Sequence, residues 1–70
     1  MDTTIQIMVE KLDALIEEEK SRELNLKEAL KTCEVVTYTD VNRYQSYVSQ
    51  LIEKQNFIRG LEKARETLVS

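Results

Sequence analysis

Thr37 and Asp40 stand three residues apart, directly behind the β-branched pair Val35 and Val36, in a 70-residue chain that contains no proline. A Thr-x-x-Asp of this kind is a capping box. The hydroxyl at the N-cap accepts from the backbone N–H three residues on, and the acidic side chain there reaches back to the N–H of the cap. Val36 and Val41 fall at the two positions of a hydrophobic staple, which would fix the angle at which the chain enters the helix. This boundary predicts a helix over about residues 40–68. It also folds the chain back, through a turn at about 36–39, onto a preceding segment of similar length.

The preceding segment reads as one helix over about residues 3–35. Thr3 and Gln6 offer a capping box at its start. Ile5, Met8, Leu12, Leu15 and Ile16 then recur at the three- and four-residue spacing of one helix face. The run Glu17 to Glu23 interrupts the stripe, and Leu26, Ala29, Leu30 and Cys33 resume it. A turn at the interruption would give three short helices, yet the run has no Gly, Pro, Asn or Asp and consists largely of good helix formers. Glu18 with Arg22, and Glu23 with Lys27, are correctly oriented pairs worth about 0.2–0.5 kcal/mol each. A heptad frame through Ile5 and Leu12 passes through Glu19, Leu26 and Cys33, so the stripe stays in phase across the gap.

In the second helix Val41, Tyr44, Val48, Leu51 and Ile58 form one line. Phe57, Leu61, Ala64 and Leu68 form another, rotated from it. Folding at 36–39 brings Leu26 level with Val48 to Leu51, Leu12 with Ala64, and Met8 with Leu68. The expected hairpin seam is therefore Leu12, Leu15, Leu26 and Leu30 against Tyr44, Val48, Leu51 and Ile58. Glu19 and Arg22 come level with Lys54 and Gln55. That layer is either a buried polar pairing that sets register or a solvated, weakly packed middle. Ile7, Leu24, Tyr47, Phe57 and Leu61 fall off the seam and form the candidate partner interface. Gly60 marks either a close helix approach or an exposed site that tolerates glycine.

The expected fold class is thus all-α: a single-domain antiparallel two-helix hairpin spanning 1–70, completed into a four-helix bundle by oligomerisation or by partner docking. Size supports the need for a partner. A chain this short buries only about 60% of its unfolded surface. With one cysteine and no histidine, neither an internal disulfide nor a Cys/His zinc site can staple it.

The same inventory bounds function. The net charge is −3 with charged residues at 33%, and the basic residues are scattered, unlike the basic stripe of a nucleic-acid binder. No apolar run approaches the roughly 20 residues of a membrane span. The first residues lack the basic start and apolar block of a cleaved signal, so a cytoplasmic protein is expected. Cys33 lies on the apolar stripe and reads as a small core residue, a reactive or partner-linking thiol being the alternative. Glu17, Glu18 and Glu19 point in different directions around a helix, so they are a solvated run rather than a metal patch. Tyr44 and Tyr47 read as packing residues with polar tips and Tyr38 as corner packing, an aromatic contact patch being the alternative. No poised acid, base, nucleophile or phosphate loop is present. The expectation is a non-enzymatic protein with no cofactor, metal or small-molecule substrate, partnered by another protein or by its own copies.

At Asp40-Val41-Asn42-Arg43-Tyr44-Gln45, followed by the apolar spacing through Leu51 and Ile58, the chain resembles the small helical-hairpin co-chaperones of type III secretion needle subunits. That family has two antiparallel helices of similar length, with a Tyr-Gln pair early in the second. The resemblance implies a hairpin that joins a repeat-helical chaperone and keeps the needle subunit soluble in the cytosol, with Tyr44, Val48, Leu51 and Ile58 as helix-packing residues. It assigns no partner-binding set. The run Glu17 to Glu23 and the β-branched corner depart from the family pattern. An interaction module, whether adaptor or chaperone-like, is the leading expectation; a structural piece forming a homo-oligomeric bundle is its rival.

Overall fold

The computed structural model describes residues 2–70 and contains two helices, α1 (Thr3–Thr32) and α2 (Tyr38–Val69), packed antiparallel. Each boundary has a local chemical cause. At the start of α1 the N-cap is Asp2, whose carboxylate accepts from the Thr4 N–H at 3.0 Å. The box expected at Thr3 and Gln6 does not form: the N-cap is one residue earlier, at Asp2, which holds the extended backbone a cap requires and caps through its own carboxylate alone. At its far end the Thr32 hydroxyl donates to the carbonyls of Glu28 and Ala29. The Cys33 N–H closes a tighter turn onto the Leu30 carbonyl. α1 thus stops three residues before the expected 35, where the β-branched pair disfavours helix.

The connection spans 33–37 in place of the expected 36–39, and no described residue takes a positive φ to make it. The capping box at Thr37 is complete: the Asp40 N–H donates to the Thr37 hydroxyl, and the Asp40 carboxylate accepts from the Thr37 N–H. The carboxylate also accepts from the Val36 N–H, so one side chain ties down two residues of the connection. These backbone donors, Thr37 first and then Val36, hold the Asp40 carboxyl below its usual pKa. The staple is absent. Val36 is 81% exposed and covers nothing, because the carboxylate sets the entry angle without it. Tyr38 is equally open and does not pack the corner.

Along the hairpin the contact line is more regular than the apolar residues alone suggest. In α1, Ile5, Val9, Leu12, Ile16, Glu19, Glu23, Leu26, Leu30 and Cys33 are buried or half-buried. In α2, Tyr47, Leu51, Lys54, Ile58, Leu61, Arg65 and Leu68 follow suit. Both series alternate three- and four-residue steps, the spacing of a coiled-coil seam. Tyr47 and Leu61, expected off the seam, lie in it. Tyr44, expected in it, is 41% exposed, because α1 ends close to its level. Leu12, Leu15, Leu26, Leu30, Val48 and Leu51 are half-buried, with Leu15 and Val48 at the seam's edges.

The core is thin. Val9, Ile16 and Ile58 are its buried apolar residues, and no described side chain is fully enclosed. The radius of gyration is 16.3 Å, against about 11 Å for a compact domain of this length. The exposed area is 5432 Å², where about 4,500 Å² is usual for this mass.

Candidate interaction surface

Two ion pairs set the register that positions everything outside the seam. Glu19 is buried, at 4% exposure. It accepts from Lys54 Nζ at 2.5 Å and from Arg22 at 3.2 Å. Arg22 also reaches Glu18 at 2.7 Å, so the middle of the hairpin is a connected polar layer rather than a wet gap. Arg65 and Asp13 pair across the helices nearer the open end. In this register Met8 and Leu12 lie beside Ala64 and Leu68, and Leu26 beside Gln50 and Lys54.

Carrying the helical phase outward from the seam divides the remaining surface into two flanks. In an antiparallel pair, like flanks of the two helices fall on the same side. One flank carries Met8, Leu15, Arg22 and Ala29 from α1 and Arg43, Gln50, Phe57 and Ala64 from α2. Its side chains form a line of open, shallow depressions. Met8, Lys11, Leu12, Ala64 and Leu68 line one at the open end of the hairpin; Leu26, Gln50, Glu53, Lys54 and Phe57 line another near the middle; Ala29, Cys33, Glu34, Asp40, Arg43 and Tyr47 line a third at the turn. Phe57 stands 50% exposed on this flank. Beside it Gly60 faces open space: a Cβ built there meets nothing within 4 Å.

The opposite flank differs in character. Its depression is lined by Lys20, Glu23, Arg59 and Glu62 around the edge of Ile58. The α1 positions along it, Gln6, Asp13, Lys20 and Lys27, are all polar, as is Glu34 beyond the helix. α2 adds the apolar Val41, Val48 and Ile52 there, towards the turn, and Leu24 of α1 lies farther round the same side.

Of the residues expected at a partner interface, the structure brings Phe57 onto the first flank and lets Leu61 and Tyr47 border it from the seam. Ile7 is exposed on the back of α1, opposite the seam, and Leu24 lies towards the charged side. These two do not join Phe57 in one patch, since they sit too far round the helix. Met8, Leu15, Gly60 and Ala64 are the members of the flank that the expected interface omitted. Continuing the heptad phase from Leu51 and Ile58 through the charged Lys54 and Arg65 is the signal that finds them.

The depressions are open, Cys33 is a lone half-buried thiol, and among the described residues no group of three or more His, Cys, Asp or Glu is placed to hold a metal ion. No helix of the described residues is long and apolar enough to cross a membrane. The molecule is a small all-α hairpin without enzymatic motifs, of a shape compatible with protein–protein interaction. Comparison with protein-family models, curated proteins and solved structures yields no match, so the likeness to needle co-chaperones rests on residues 40–58 alone.

Proposed function

We propose that this chain is a non-catalytic protein-interaction module, a small adaptor or chaperone-like hairpin that docks a helical surface onto its sparsely charged flank. The observation that carries this reading is the asymmetry of the two flanks. One presents Met8, Leu12, Phe57, Gly60, Ala64 and Leu68 with Lys11, Arg22 and Glu53 among them, and the other is more densely laced with Lys and Glu. A hairpin that ended at its own seam would have no reason to keep one side so weakly charged. The thin core supports the same reading, because so little apolar burial calls for more from outside.

The sharpest form of this proposal is a cytoplasmic co-chaperone of a type III secretion needle subunit, supported by the hairpin architecture and by Tyr44-Gln45 early in α2. Co-expression with a needle subunit and its repeat-helical chaperone tests that form: a defined heteromer is expected, and three separately eluting proteins would remove it. The broader reading has its own test. Phe57→Ser should weaken association at least tenfold, with helicity equal to the wild type at concentrations where the variant is still associated. Unchanged association would take Phe57 out of the docking surface, and with it the reading of this flank.

A further inference from the structure

We infer that the occupant of the sparsely charged flank is a second copy of this chain, laid face to face with its two-fold axis parallel to the helices. This rests on the interaction-module reading but not on its co-chaperone form. The argument starts from register. Within the hairpin the long side chains of the pairs Glu19 with Lys54 and Asp13 with Arg65 reach across on either side of the mean level, and Met8 and Leu12 lie beside Leu68 and Ala64, which places Leu15 near the level of Gly60 and Arg22 near that of Glu53. A two-fold axis along the hairpin sets α1 of one copy over α2 of the other and reproduces the same levels between copies. Leu15 then faces the partner's Gly60, where the hairpin leaves open space. Met8 faces the partner's Thr67, and Arg22 faces the partner's Glu53. Larger side chains thus meet smaller ones, and the charge that interrupts the flank meets its opposite.

The alternative two-fold, perpendicular to the helices, does worse at full overlap. It sets Arg22, which keeps its own Glu18 and Glu19, against the partner's Leu15 and leaves Glu53 against the partner's Gly60, so Glu53 is buried without a counter-charge. Glu53 makes no ion pair among the described residues, so it is free for a partner's arginine. The footprint also fits. The hairpin measures 55 × 15 × 12 Å across its Cα atoms, and its long face offers about the 800 Å² per partner that a standard stable interface buries. Pairing this flank leaves the Lys- and Glu-rich flank outward in both copies, as a soluble four-helix bundle requires.

The test uses the full chain, its mass measured by light scattering over a dilution series. The wild type should run at twice the 8.2 kDa chain mass. Gly60→Gln should raise the dissociation constant at least tenfold, with wild-type helicity regained at concentrations that restore the dimer, because the hairpin itself has room for the side chain and the interface does not. Glu53→Lys should do the same by facing the partner's Arg22, and Ser49→Gln, on the back of α2, should change nothing. Orientation is read from spin labels on Val36→Cys in a Cys33→Ser background. A separation under about 25 Å is expected, and about 50 Å, the span of an antiparallel stack at 1.5 Å per residue, would overturn the arrangement. A dimer indifferent to both Gly60→Gln and Glu53→Lys would overturn the choice of flank. A partly helical monomer would overturn the second copy as occupant and leave the interaction-module reading standing, whereas a fully helical, stable monomer would overturn both.

Discussion

Glu19 shows how one residue's setting decides what a charge is worth. Its carboxylate is buried between two cations that arrive from different places, Arg22 from the next turn and Lys54 from the other helix. Replacing Lys54 by Met removes the cross-helix partner and leaves a buried carboxylate. A loss of about 3 kcal/mol is expected, the low end for breaking such a pair because Arg22 still donates. Replacing both, as Glu19→Leu with Lys54→Met, should recover that loss or exceed it by about 1–4 kcal/mol, since an apolar pair carries no desolvation cost. Chemical denaturation of the three proteins measures both effects, and a double variant weaker than Lys54→Met would contradict this reading. Asp13 and Arg65, both about half exposed, should contribute no more than about 1 kcal/mol.

Asp40 carries the pH dependence at this scale. Its folded-state pKa lies below the ordinary 3.8, so its contribution is complete above that value and is lost as pH falls through the lowered one. Melts from about pH 6 to about pH 2 should therefore show an acid-side loss that is smaller in Asp40→Asn. An identical acid limb in both proteins would contradict the cap. Thr37→Ala removes the hydroxyl half of the same box and should cost about 1 kcal/mol.

At the scale of the element, much was legible in the chain beforehand, because the signals were local. The capping box at Thr37 needed only two residues at the right separation, and it located the start of α2. The heptad frame through Glu19 carried α1 across its charged run and gave nearly the right register. Failures came where tertiary structure chose between local options. Val36 and Val41 had staple spacing, but the Asp40 carboxylate fixed the corner first. Tyr47 and Leu61 lie in the seam because their helix face continues through Lys54 and Arg65, and a search for apolar neighbours stops at those charges. Of the residues expected at an interface, Phe57 lies on the more open flank while Ile7 and Leu24 lie elsewhere around α1, since exposure alone does not say which flank a residue occupies. The seam has its own test. Leu26→Asp or Leu51→Asp puts a charge between the helices and should abolish the cooperative melt followed by circular dichroism; an unchanged melt would mean the seam lies elsewhere.

At the scale of the whole molecule, the structure is a long, thin object with a surface larger than its mass warrants. Its two flanks differ in charge, and among the described residues three apolar side chains are buried, each worth about 1.5–3 kcal/mol. Two helices in contact along one line cannot enclose a side chain on all sides, which is why nothing here is fully buried. Adding helices against the open flank converts half-buried Leu12, Leu61 and Leu68 into core. Stability, helicity and association should therefore be one linked quantity in this protein rather than three.

The most direct measurement follows circular dichroism and solution mass together as the protein is diluted. Helicity and mass should fall over the same concentration range, each copy losing structure as it loses its partner. Helicity that stays constant while the mass drops to a single chain, with a cooperative melt independent of concentration, would show that the hairpin needs no partner and would contradict the role proposed for its open flank.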